Sequence, residues 1–553
     1  MTQTISMNKV SFNLLIPLLA IVSTSSIAQK EKVKTVLSEK ASVVIASTQN
    51  GFVRGMLEPG DLAIFLGIPY AAPPIGDLRW KQPVNAKNWS DTLNTTAYGP
   101  SCPQPSKDND PTSEDCLYLN VFCTAGALNK PGSKKPVMFW IHGGGFGTGS
   151  ARGYDGRVLA KKAVIVVTIN YRLGPFGYLC HPALEASSEN KGAGNYGLLD
   201  QIAALKWVKQ NISAFGGDPG NVTIWGESAG AFSVGALLAS PLAKGLFHKA
   251  ILESGTGLIN GIQSKDSATQ YAITNAKAIG IEGSDSSALK ALYALPAERL
   301  VDIYTTPERP QLQAFYVSFS PVVDGWALPL PLDKAIDQNR WNNVPLLLGS
   351  NMHEGAYFQR EKPAKDIDEY YNLLANKSLG DNAGILKGIY AVTDTSEIFA
   401  KSQEVVGDYG FGAPARALAR LVTKKNGKVF YYYFTRTSRD SRGGIVKALH
   451  STELPFVFGY TSDKWVPYKR FNGLSPNDTY LANAMSDYWV NFARYGDPNV
   501  NAGKSKLPKW PVFEMKNNSY LEIGEEIRPM TNLRKAQYDA VDQFSKQKGE
   551  LRY

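Results

Sequence analysis

The chain has 553 residues, 43% hydrophobic and 20% charged, with 50 Gly and 32 Pro. This is ordinary globular composition, with a core large enough to need no disulfide, and it excludes a mainly disordered, collagenous or coiled-coil protein. The net charge of +10 is carried by scattered pairs such as Lys134-Lys135, Lys161-Lys162 and Lys424-Lys425, without the run or aromatic-interleaved stripe that a nucleic-acid partner needs.

Residues 1–28 read as an export signal. Lys9 is their one charged side chain, Leu14 to Val22 is apolar, and Ser26-Ile27-Ala28 is a small-x-small cleavage site. The apolar stretch is too short to span a bilayer, and no other stretch comes near the roughly 18 unbroken apolar residues required. The polar end, Lys548 to Tyr553, carries neither a lipid-anchor nor an ER-retention signal. The expectation is a cleaved signal followed by one domain over 29–553, exported to the periplasm or the medium, with no integral membrane segment. Cysteine use agrees with export. Cys102 and Cys116 flank a polar stretch that reads as a surface loop closed by a disulfide. Cys123 and Cys180 lie in or after apolar strand patterns and read as a second bridge or as buried thiols. Asn-x-Ser/Thr sequons begin at Asn88, Asn94, Asn211, Asn221, Asn376, Asn477 and Asn517, relevant only in a host that glycosylates.

Short apolar runs at Val137–Ile141 and Ala163–Thr168 predict strands buried on both faces. Leu198, Ile202, Leu205, Val208, Ile212 and Phe215 step by four and three, which predicts an amphipathic helix. Asn221–Trp225 is the next strand and Ala229–Ser240 the next helix. Further strands are expected at Ala250–Leu252, Pro345–Leu348 and Val429–Phe434. Strands alternating with helices mean an α/β fold with a large, mostly parallel sheet. The less regular 255–340 and 355–445 are expected to hold insertions that cap the carboxyl edge of the sheet, where such folds place their sites.

Gly226-Glu227-Ser228-Ala229-Gly230 fits the G-x-S-x-G pattern and lies between a strand and a helix. A serine on such a turn points its hydroxyl away from the sheet, and the following helix aims free N–H groups at it. The competing use is an ordinary glycine-rich turn. Serine needs a base, usually histidine. The chain has five: His142, His181, His248, His353 and His450. Position alone leaves His353 and His450 as candidates. His353-Glu354 is not a zinc motif, because Tyr357 stands where the second histidine of H-E-x-x-H belongs. His142-Gly143-Gly144-Gly145-Phe146 follows the first strand and is the H-G-G-G type of loop that supplies oxyanion donors. A dinucleotide-binding turn fails there on spacing, since Gly145, Gly147 and Gly149 give G-x-G-x-G.

These segments together resemble the type-B carboxylesterase family, the cholinesterase-like branch of the α/β-hydrolases. The matches continue through Gly67-Ile68-Pro69-Tyr70-Ala71, Gly76-Asp77-Leu78-Arg79-Trp80, Ser113-Glu114-Asp115-Cys116-Leu117-Tyr118-Leu119-Asn120, Asn170-Tyr171-Arg172, Gly197-Leu198-Leu199-Asp200-Gln201, Phe215 to Gly230, and Gly496-Asp497-Pro498-Asn499. The resemblance implies an α/β-hydrolase catalytic domain over 29–553. It implies a Ser228–Glu354–His450 triad, oxyanion donors Gly144, Gly145 and Ala229, and a supporting serine at Ser254. It also implies the disulfide Cys102–Cys116 and ion pairs Arg79–Glu114 and Arg172–Asp200. No metal or cofactor is called for, and the partner is a small ester molecule. One departure matters. Cholinesterases carry a choline-binding tryptophan in a longer first disulfide loop, and residues 103–115 here contain no aromatic residue. A quaternary-ammonium substrate is therefore not expected. Tyr316, Phe319, Trp326, Tyr357 and Phe358 are the aromatic candidates for a pocket wall, with core burial as their other use. The reading is a serine esterase for small to medium neutral esters. The alternatives are a lipase or polyester or aromatic-ester hydrolase with the same triad, and a non-catalytic cholinesterase-like binding protein.

Overall fold

A 13-stranded sheet forms the backbone of the fold. The computed structural model describes residues 42–105, 111–130, 132–259, 261–302, 319–374, 383–439, 445–460, 475–499 and 507–547. The expected signal 1–28, Tyr316 and the Asn376 sequon lie outside them. The principal strands are β1 (Ser42–Thr48), β2 (Gly51–Glu58), β3 (Leu62–Pro69), β4 (Tyr118–Thr124), β5 (Lys135–Ile141), β6 (Ile165–Ile169), β7 (Gly217–Glu227), β8 (Lys249–Glu253), β9 (Leu346–Asn351), β10 (Val429–Phe434), β11 (Tyr520–Ile523) and β12 (Ile527–Met530). Their spatial order is β1-β2-β3-β4-β6-β5-β7-β8-β9-β10-β11-β12, and Leu93–Asn94 adds a short strand beside β2. Pairing is antiparallel from β1 to β6 and again at β11–β12. From β6 to β11 every neighbour is parallel.

The parallel strands are apolar on both sides because each side has its own core. Val137, Phe139 and Ile141 of β5 face one cluster, and Met138 and Trp140 face the other. The first core is closed by α1 (Tyr196–Asn211) and α2 (Ala229–Ala239). Every residue of α2 is buried, as expected of a helix that is apolar all round. The second core takes α5, the label used here for Pro476–Tyr495 after α3 (Ile398–Gly407) and α4 (Ala413–Lys424). The C-terminal helix is α6 (Lys535–Gln547).

Two boundaries differ from the sequence reading. The predicted helix through Phe215 is α-helical only to Asn211 and tightens to a 3-10 turn over Ile212–Phe215. β7 starts at Gly217, because Gly216 adopts φ 82° and turns the chain so that Gly217 pairs with Lys135. Cys102 and Cys116 are bonded, while Cys123 and Cys180 are buried thiols. Burial pushes the Cys180 thiol up to about 11 and raises that of Cys123 as well. Arg172 grips Asp200 through Nε and Nη2 at 2.8 and 2.7 Å, wholly buried. Arg79 grips Glu114 the same way, with Nε at 2.7 Å from Oε2.

Candidate active site

The expected residues meet along the carboxyl ends of the parallel strands. β5 runs into His142-Gly143-Gly144-Gly145, β7 into Ser228, β8 into Ser254, and β9 into the segment holding Glu354. His450 follows β10 in the chain. The neighbouring order of these strands in the sheet brings together residues far apart in sequence.

Ser228 sits between β7 and α2 with φ 55° and ψ −122°. A non-glycine residue in this region costs about 1–3 kcal/mol and persists only where surroundings enforce it. Here they do. The Ser228 N–H donates to the Glu253 carbonyl at 2.9 Å, and the Ser228 carbonyl accepts from Phe232 N–H at 3.0 Å. Gly230 is required because a Cβ there would lie 2.0 Å from the Ile141 carbonyl oxygen. The glycine loop lies directly against the serine, since a Cβ on Gly143 would sit 3.2 Å from Ser228 Cβ. Ala229 is the first residue of α2, so its N–H belongs to the helix end that lacks intrahelical partners.

His450 Nδ1 is 2.6 Å from Glu354 Oε2. Glu354 Oε1 accepts from Ser254 Oγ at 2.5 Å and from Asn351 N–H at 2.7 Å. The carboxylate is thus held from three sides. The loops bearing Glu354 and His450 are also zipped together: His353 N–H donates to the Ala448 carbonyl at 2.8 Å, and Asn351 Nδ2 to the Leu449 carbonyl at 2.7 Å. His353, the other histidine candidate, directly precedes Glu354 in the chain and contributes its backbone N–H to this contact. His142 is buried and stacks on Tyr171 with centroids 4.5 Å apart. His181 and His248 accept backbone N–H bonds from Ala183 and Val222.

Glu227 escaped the sequence reading. Its Oε1 is 3.2 Å from His450 Nε2 and accepts from Ser451 Oγ at 2.6 Å. The motif itself contains Glu227, but only tertiary structure puts the carboxylate beside His450. Burial alone would lower the His450 pKa; the Glu227 and Glu354 carboxylates overcome it and raise the pKa above its ordinary value. Burial raises the Glu227 carboxyl in turn, against the opposing pull of His450 and Ser451.

Aromatic rings close in on His450. Phe358, Phe411 and Tyr357 have centroids 4.9, 5.0 and 5.6 Å from that of His450. Phe411 was not singled out from sequence; it comes from a π-turn, Asp408–Gly412, between α3 and α4. Phe319 instead packs on Tyr271 in the core. Trp326 lines an outer recess with Gln82, Pro83 and Leu199.

Comparison with known proteins agrees across the chain. The model of the carboxylesterase family matches residues 42–541. Carboxylesterase 5A of Canis lupus familiaris is 37% identical over 526 residues, spanning 88% of this chain and 87% of that protein. Fumonisin B1 esterase of Sphingopyxis macrogoltabida is 36% identical over 501 residues, spanning 88% and 87%. Para-nitrobenzyl esterase of Bacillus subtilis (strain 168) is 38% identical over 501 residues, spanning 87% and 95%. A solved PNB esterase structure superposes with a TM-score of 0.78 at 35% identity, covering 90% of this chain and 99% of that chain. The architecture is therefore the α/β-hydrolase fold.

Proposed function

We propose, because the chain belongs to the carboxylesterase family and is a carboxylic-ester hydrolase, that it works as an exported serine esterase through an acyl-enzyme. Ser228 Oγ attacks the ester carbonyl carbon while His450 Nε2 takes its proton. Glu354 accepts from Nδ1–H, which leaves Nε2 unprotonated and able to take that proton, and stabilises the imidazolium. The N–H groups of Gly144, Gly145 and Ala229 hold the oxyanion. The C–O bond to the alcohol then breaks, and His450 returns the proton to the departing oxygen. Water, activated by the same base, attacks the acyl carbon and releases the acid and Ser228.

The observation that carries this reading is the 2.6 Å contact between His450 Nδ1 and Glu354 Oε2, made across 96 residues of sequence. Export through the segment 1–28 and a single catalytic domain over 29–553 belong to the same proposal. So does the substrate class, small to medium neutral esters. The para-nitrobenzyl ester in one relative's name and the rings around His450 favour an apolar or aromatic alcohol group within that class.

The test is hydrolysis of p-nitrophenyl esters from acetyl to palmitoyl by the wild type and Ser228→Ala. Activity should peak at short acyl chains and vanish with the serine while the fold is kept. Organophosphate should label Ser228. A folded Ser228→Ala protein that still turns over ester would sink the proposal, and a peak at long chains would replace it with a lipase.

A further inference from the structure

We propose that Gln104 is a positioning residue for the oxyanion donors, and that the Cys102–Cys116 bridge acts on catalysis through it. The inference rests on the reading of Gly144 and Gly145 as donors.

A loop of glycines has maximal backbone freedom and no side chains to anchor it, so neighbours must impose its geometry. The N–H and C=O of one peptide unit point in opposite directions. Holding a carbonyl therefore aims the next residue's N–H. His142 Nδ1 lies 2.8 Å from the Gly143 carbonyl oxygen. Burial lowers the His142 pKa to about 4, so the ring is neutral at neutral pH, and the carbonyl requires its proton on Nδ1. This hydrogen bond aims the Gly144 N–H. The Gly144 carbonyl accepts from the N–H groups of Gly147 and Thr148 at 3.1 and 3.0 Å and from Thr148 Oγ1 at 3.1 Å. Those bonds aim the Gly145 N–H.

The first of these arrangements leans on Gly149, and the second is held by its chain neighbour Thr148. The φ of Gly149 is 107°, and a Cβ there would be 2.6 Å from His142 Nδ1 and 2.8 Å from the Gly143 carbonyl oxygen. The Gly149 backbone is thus the surface that seats the His142 ring. Gln104 holds this residue at both backbone groups. Gly149 N–H donates to Gln104 Oε1 at 2.7 Å, and Gln104 Nε2 donates to the Gly149 carbonyl at 2.9 Å. The same Nε2 donates to the carbonyl of Cys102 at 3.0 Å, and Cys102 is bonded to Cys116. Asn170 makes a second tie between the same segments: it accepts from Ala151 N–H at 2.8 Å and donates to the Pro100 carbonyl at 2.9 Å. The bridge, Gln104, Gly149 and the donor loop form one continuous set of contacts.

The test uses the full-length protein, with kcat counted per serine labelled at completion by a fluorophosphonate. Gln104→Ala should lower kcat roughly ten- to hundred-fold, the scale of an ångström-level misplacement, with KM little changed. Affinity for a trifluoromethyl ketone, which forms a tetrahedral oxyanion on Ser228, should fall by a similar factor. Affinity for the matching methyl ketone should not. Gln104→Glu keeps the acceptor but sets a carboxylate oxygen against the Cys102 and Gly149 carbonyl oxygens, so its loss should be at least that of Gln104→Ala. Cys102→Ser/Cys116→Ser should also lower kcat, and adding Gln104→Ala should cost less than the two losses combined. A Gln104→Ala enzyme with wild-type kcat and wild-type ketone discrimination overturns the clamp alone. A wild type that binds the two ketones equally overturns it together with the oxyanion reading.

Discussion

The proton on His450 is contested by two carboxylates, Glu354 at Nδ1 and Glu227 at Nε2. In the proposed mechanism only the neutral imidazole, with Nε2 unprotonated, is active. Activity is therefore present above the His450 pKa and lost as pH falls through it. That pKa is raised above 6.5, so the acid limb of kcat/KM should lie above that value. Glu227→Gln removes one of the two raising charges and should move the limb to lower pH; an unmoved limb would show that Glu227 does not act on the base. Glu354→Gln should lower kcat by roughly 10³–10⁴, because the amide no longer selects the productive tautomer. At this scale the sequence was legible where chemistry is local. Ser228 and the His142 loop could be found because strand, turn and glycines adjoin them. His450 and His353 could not be told apart by position, since the distinction depends on which loop carries its side chain to Glu354. Only the family resemblance separated them.

Across neighbouring strands, Glu227 of β7 is in register with Glu253 of β8, Glu253 with Gly349 of β9, and Gly349 with Tyr432 of β10. Register partners in parallel strands share a face, so two acids and a tyrosine form a buried row beneath the site. Glu253 Oε1 accepts from the indole N–H groups of Trp225 and Trp489 at 2.5 and 2.6 Å. Burial raises the Glu253 carboxyl to about 8, against the lowering effect of those bonds and with a further push from Glu227. Folded Glu253 thus keeps its proton where the unfolded chain, at its ordinary 4.5, has lost it. Stability from this group falls as pH rises from about 4.5 towards 8. Glu253→Gln does not titrate and should gain thermal stability on the wild type progressively through that window, measured by melting at several pH values. A constant difference would place the titration elsewhere. The strands themselves were readable from their apolar runs. The row was not, because register between strands is a tertiary property that a run of Ile, Val and Leu does not encode.

On the scale of the whole molecule, the C-terminal helix is fastened to α4 and to the π-turn between α3 and α4. Arg416 of α4 is fully buried and pairs with Asp539 and Asp542 of α6 at 2.8 Å each. Arg534, just before α6, reaches Asp408 at 2.6 Å, the first residue of the π-turn that presents Phe411 to His450. Arg416→Ala leaves Asp542 buried without its cation and should cost about 3–5 kcal/mol in urea unfolding. A loss below about 1 kcal/mol, the range of a surface pair, would mean that water replaces the guanidinium there. The alternation of strands and helices foretold the α/β layering. The π-turn and the C-terminal fastening gave no such warning: Asp408–Gly412 looks like any helical stretch, and Arg416 finds its partners more than a hundred residues later.

The order of strands also sets a timetable. From β1 to β12 the sheet grows outward in chain order, apart from the exchange of β5 and β6. A ribosome delivering the chain from its amino end would complete the serine turn and glycine loop while His450, the proposed base, was still unmade. Hydrolysis should therefore begin only after the last third of the polypeptide has docked. During refolding from denaturant, recovery of esterase turnover would report the arrival of that final part, not the burial of the first tryptophans.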